Sequence, residues 1–155
     1  MAVSIVPALI DAIVTQATAA LSDVLVLDGF GVSDAPAPDL LMVGVDDGES
    51  TVAATSTAVS QTMATLGTAR SRDQQGQVWC WAYSWNGNTD QKAARDSVYT
   101  TFEAVADLCR TDPTFGVGLP GRVVCQIGDE NLSQDQDESG AKALLIFSVN
   151  FTARI

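Results

Sequence analysis

The sequence predicts an α+β domain, an antiparallel or mixed β-sheet with two main helices packed on one of its faces. Three observations carry this. Two segments, one near the start and one running from Asn88 to about Arg110, place apolar residues at helical spacing. The stretch Lys142 to Ile155 alternates apolar and polar residues almost without fault, as a strand with one buried face does. The order of segments is helix, several strands, helix, two strands, which argues for helices segregated to one side of a sheet. At 155 residues the chain fits a single domain, 1–155, and is long enough to bury its own core.

Taken in order, Ser4 to Leu21 reads as the first helix. Pro7 suits a first-turn position, and Leu9, Ile10, Ile13, Val14, Ala17, Ala20 and Leu21 form one apolar face. Val24 to Leu27, bounded by Asp23 and Asp28, is a short apolar run and reads as a buried strand. Gly29 to Asp39, with two glycines and two prolines, reads as a loop. Leu40 to Val45 is the next strand, ending at the acidic turn Asp46, Asp47, Gly48, Glu49. Thr51 to Leu66 is read as strand from its threonines, although its alanines leave a helix open.

Arg70 to Gln77 reads as a polar connection into the strand Val78 to Trp85. Asn88 followed by Gln91 resembles a capping box for the second helix, whose apolar stripe is Ala94, Val98, Phe102, Val105, Leu108 and Cys109. Asp112, Pro113 and the glycines at 116, 118 and 121 end that helix. Val123 to Ile127 is a strand, Gly128 to Gly140 a polar acidic loop, and Lys142 to Ile155 the last strand.

Composition narrows the function classes. Nineteen acids against eight bases give a net charge of −11 spread along the chain, a surface that repels nucleic-acid phosphates. Charged residues are only 17%, which suggests that partners cover part of the surface. Cys80, Cys109 and Cys125 lack metal-type spacing and read as buried reduced thiols. The apolar start lacks a basic region and carries Asp11, a poor match to a secretory signal, and no apolar run reaches the 18–20 or so residues of a membrane helix. A soluble protein made in the cytoplasm is expected.

The chemical motifs are weak. With no histidine, Ser-His-Asp and Cys-His arrangements cannot be built. Gly116, Gly118 and Gly121 match G-x-G-x-x-G but follow a helix and precede a strand, the reverse of a dinucleotide site. Asp135, Asp137, Ser139 and Gly140 copy the start of a calcium loop, yet its twelfth position is Ile146, which has no carboxylate. Glu103 and Asp107 share a helix face without a third group beside them. Asp46, Asp47 and Glu49 could hold a divalent cation weakly, and a surface turn explains them equally well. The expectation is a chain without catalytic, metal or cofactor site.

Trp79, Trp81, Tyr83 and Trp85 stand out, because four large aromatics on one side of one strand exceed the usual need of a small core. Core, a carbohydrate platform and a subunit interface are all open readings.

Several stretches together resemble the tail terminator, or tail completion, proteins of long-tailed bacteriophages, particularly those of actinobacteria. The carrying features are Pro7 to Ile10 in the opening helix, Arg72 and Asp73 leading into the Val78 to Trp85 strand, and Gly87 before a helix with Ala94 and Arg95. They continue with the helix exit Thr111 to Gly116 and the closing Phe147 to Ile155. Each piece is short, and together they cover nearly the whole chain in order. Gln74 stands where the pattern leads one to expect an acid, and the Trp-rich strand is more aromatic than the pattern.

The resemblance implies a virion protein, folded in the host cytoplasm, that closes into a hexameric ring at the head-proximal end of the tail. Such a ring caps the tail tube, ends its growth and joins it to the head-tail connector or neck protein. DNA would only pass through the lumen, and neither a membrane nor a cofactor is involved. Candidate subunit-interface residues are Trp79, Trp81, Tyr83, Trp85, Asp46, Asp47, Glu49, Asp135 and Asp137, from the aromatic strand and the loops expected to carry contacts. The alternatives are a head-closure or neck connector subunit and a ligand-binding module using the Trp-rich strand.

Overall fold

The computed structural model describes residues 3–30, 39–46, 48, 57–63, 71–119 and 121–155. They form two helices, α1 (Val6–Ala20) and α2 (Gln91–Thr111), and six strands. The strands are β1 (Leu25–Asp28), β2 (Asp39–Val43), β3 (Thr57–Met63), β4 (Arg72–Asn86), β5 (Val123–Asp137) and β6 (Gly140–Arg154). The sheet order is β1-β2-β4-β6-β5, with β3 on the first half of β4. Only the β1–β2 pair is parallel. This is the expected α+β fold with a mixed sheet.

The core lies between the sheet and the helices. Leu9, Ile13 and Ala17 of α1, four residues apart, are fully buried, as the periodicity requires. From α2 come Ala94, Val98, Thr101, Val105 and Cys109. The sheet answers with Leu41 and Val43, with Val78, Cys80 and Ala82, and with the odd-numbered residues of β6 from Ala143 to Ala153. Small buried side chains at Cys80, Ala82, Ser84 and Ala143 belong to the faces of β4 and β6 against which α2 packs. Phe102 on α2 meets Phe147 edge to face at 5.0 Å between ring centres.

Three boundaries differ from the sequence expectation. Arg72 to Gln77 is strand, not connection: the segment is laddered to β3 on one side and β6 on the other. Its pattern is silent because its inward positions are Gln74 and Gly76, which carry no apolar signal. Gly76 is required there, since a Cβ would stand 2.4 Å from the Ala58 carbonyl oxygen.

Gly128 to Gly140 is likewise not a loop. After an irregularity between Ile127 and Glu130, β5 runs on to Asp137 in register with β6, and a two-residue turn closes the hairpin. Its polarity is that of an edge strand, whose acids oppose edge-to-edge pairing. Gly140 closes this turn at φ +126°, with the Asn86 carbonyl oxygen 2.0 Å from where a Cβ would sit.

The second helix starts from Asp90, not Asn88. The Asp90 carboxylate accepts the Ala93 N–H at 3.1 Å. Asn88 instead donates its N–H to the Asn86 side chain, and Gln91 reaches the Asp135 carbonyl. The expected strand Thr51 to Leu66 is present over 57–63, and the flanking positions lie outside the described residues, as does most of the expected loop Gly29 to Asp39.

Candidate functional site

Strand alternation divides β4 into two faces. Val78, Cys80, Ala82 and Ser84 point to the helices, so Trp79, Trp81, Tyr83 and Trp85 point to the opposite side. The core under the helices therefore contains none of the four. The register then shows what stands beside them. Met42, Trp81 and Ile146 form one row across β2, β4 and β6, and Leu40, Tyr83 and Leu144 form the next. On β1, Leu25 is in register with Leu40 and Leu27 with Met42.

Nine large side chains thus make an apolar floor on the face away from the helices: Leu25, Leu27, Leu40, Met42, Trp79, Trp81, Tyr83, Leu144 and Ile146. All nine are half-buried, whereas Leu41, Val43, Cys80, Ala82, Ala143 and Leu145 on the helix side are inaccessible. Trp85 at the end of the row is 42% exposed.

Polar groups at the rim fix the indoles. The Trp81 Nε1–H donates to the Asp46 carbonyl at 2.9 Å, and the Phe30 ring stands edge-on to Trp81 at 5.1 Å. Trp85 Nε1–H donates to the Ser139 carbonyl at 3.0 Å in the β5–β6 turn. The Asp46 carboxylate accepts the Gly48 N–H at 2.8 Å, and Gly48 lies against Ile146 at the edge of the floor, where a Cβ would stand 2.7 Å from Ile146 Cδ1. Asp47 and Glu49 lie outside the described residues.

Asp135 sits on the same face opposite Lys142, which is opposite Trp85. Asp137 accepts the Lys142 Nζ–H at 2.8 Å and also binds Ser139 through its N–H and hydroxyl. These contacts, led by the Lys142 hydrogen bond and the Ser139 hydroxyl, hold the Asp137 carboxyl well below the usual carboxylate range. Asp137 is the hinge of a hairpin turn, so the calcium-loop spacing Asp135, Asp137, Ser139 is here the local chemistry of a turn. Among the described residues, no three His, Cys, Asp or Glu side chains converge on a point that would hold a metal ion.

Farther along, the same face changes character. Gln75 and Gln77 of β4, Asn150 and Thr152 of β6, and Gln126 of β5 make an uncharged polar bed. The face is therefore apolar at the β1–β2 side and amide-rich beside β3.

The structure brings together Trp79, Trp81, Tyr83, Trp85, Asp46, Asp135 and Asp137 on one side of the sheet or at its rim. The sequence reading missed the aliphatic half of the floor. Its signal was the run Ala143 to Phe147, apolar at both parities, which marks a stretch covered on both faces. The three thiols are buried, Cys80 and Cys125 pushed up to about 12 and Cys109 to about 11, chiefly by desolvation. Comparison with protein-family models and with curated proteins finds no match to this chain.

Proposed function

We propose that this chain is a non-catalytic virion subunit of the tail terminator type. In this reading it closes into a hexameric ring on the head-proximal end of a phage tail tube, ends tube polymerisation and joins the tube to the neck. The observation that carries the assembly role is the apolar floor of the sheet with Trp85 exposed at its end. A half-buried layer of Leu, Met, Ile, Trp and Tyr gains further stability when a second protein surface covers it, and indoles are favoured at the centre of such contacts. The specific assembly comes from the sequence resemblance, which runs in order through α1, β4, α2 and β6.

The acidic balance suits the same role. A net charge of −11 lets DNA slide through a ring without sticking to its wall. The test is to add the purified chain to growing tail tubes and follow tube length by electron microscopy. Rings at tube ends and arrested growth support the proposal. Tubes that lengthen unchanged, with the chain left free in solution, overturn it.

A further inference from the structure

The long β5–β6 hairpin separates charge along the molecule. At one end lies its turn, with Asp135, Asp137 and Glu138 exposed and Lys142 paired to Asp137. At the other end three adjacent strands bring Arg72, Arg154 and Arg122 together, Arg154 and Arg122 on the face that carries the Trp row and Arg72, in step with Gln74 and Gly76, on the helix side. Arg72 exchanges backbone hydrogen bonds with Ile155, and the Arg154 N–H donates to the Arg122 carbonyl. Arg154 is paired with Asp73 at 2.8 Å, while Arg72 and Arg122 are exposed and have no ion pair among the described residues. Arg122, Arg154, Thr62 and Thr152 line a groove of about 610 Å³ at this end, together with Asp73, the partner of Arg154.

β6 is 15 residues long, so the two ends are roughly 45 Å apart at about 3.3 Å per residue. That is several Debye lengths at physiological salt, and the acidic turn cannot meet the arginines of its own chain. We infer that the Arg72, Arg122, Arg154 end receives the Asp135 to Glu138 turn of a second copy of this chain. Guanidinium groups pair carboxylates through two parallel hydrogen bonds, which gives the contact direction as well as attraction. Because the two patches differ, the contact is head-to-tail: it leaves one acidic turn and one arginine end free, and it propagates into a ring when its rotation closes and into an open filament when it does not. The inference rests on the assembly reading above and supplies the polarity of its subunit contact.

The test uses two variants of the full chain, R72E/R122E and D135K/E138K, with sedimentation velocity at low salt. Wild type is expected to associate, and to dissociate as salt rises. Each variant alone presents like charges at both ends and is expected to sediment as a folded monomer, with wild-type circular dichroism. Their equimolar mixture restores opposite charges at every contact and is expected to recover the wild-type mass.

Wild type that stays monomeric at low salt up to millimolar concentration, a single variant that associates like wild type, or a mixture that stays monomeric would each overturn the contact. The tube-capping assay reads the other proposal separately. Association without capping overturns the terminator role and leaves this contact standing, while capping by a wild type that never self-associates does the reverse.

Discussion

Gln74 and Ile5 meet across 69 residues of chain: the fully buried side-chain carbonyl of Gln74 accepts the Ile5 N–H at 3.1 Å, at the first turn of α1. Its amide nitrogen donates to the Ser4 hydroxyl at 2.6 Å, which in turn accepts the Val6 N–H. A helix start without a side-chain cap of its own is thus satisfied from β4. The job needs a donor and an acceptor on one side chain, and an ionised carboxylate offers acceptors only.

Gln74→Glu is therefore expected to lower stability by at least about 2 kcal/mol at pH 7, through a buried charge and an unserved Ser4. Burial raises the folded pKa of the new acid above its unfolded value of about 4.3. The penalty is then full above the folded pKa and is relieved as pH falls from there to the unfolded value. Urea unfolding at pH 7 and near pH 4 checks the sign.

Asp137 has a depressed folded pKa, so its contribution to stability is present above the unfolded value of about 3.9 and is lost as pH falls through the folded pKa. Carboxyl-carbon NMR titration should find it among the last carboxylates to protonate. Lys142→Met should move it back toward the ordinary range by removing the first of its causes.

The aromatic floor separates stability from assembly. Trp81→Ala removes the indole held by Asp46 and Phe30 and should cost about 2–4 kcal/mol in thermal or urea unfolding. Trp85→Ala, at the exposed end of the row, should stay within about 1 kcal/mol of wild type and yet, on the proposed function, weaken capping of tube ends.

The thiols give a solvent-access test. With all three buried and their pKa values pushed to about 11 or 12, the native chain should leave Ellman's reagent nearly unreacted at pH 8. In denaturant, three equivalents should react. Rapid native reaction at one thiol would mark a wall of the core that opens readily.

Gly140→Ala places a Cβ against the Asn86 carbonyl at a φ that L residues avoid, and should cost at least about 1–3 kcal/mol. Thermal unfolding reads it directly.

What the sequence made legible follows from where side chains signal burial. The α1 stripe of Leu9, Ile13 and Ala17, the α2 stripe and the alternation of β6 are all read by solvent on one side and core on the other. The start of β4 and the far half of β5 have no such contrast. Gln75 and Gln77, or Ser133 and Asp135, are strand only because a neighbouring backbone pairs with them, and a ladder leaves no mark on a single chain's pattern. The aromatic side of β4 was visible, but Leu40, Met42, Leu144 and Ile146 joined it only through register, a long-range property.

The placement of β6 bears on timing. It is the last strand in chain order, yet it lies between β4 and β5 in the sheet, and its Arg154 meets Asp73 at a separation of 81 residues. Most of the core on β4 waits for that partner, and non-local pairing of this kind slows folding. A nascent chain short of β6 has neither the finished apolar floor nor the arginine end, so the proposed contact with a second copy has no surface to form on until β6 is made.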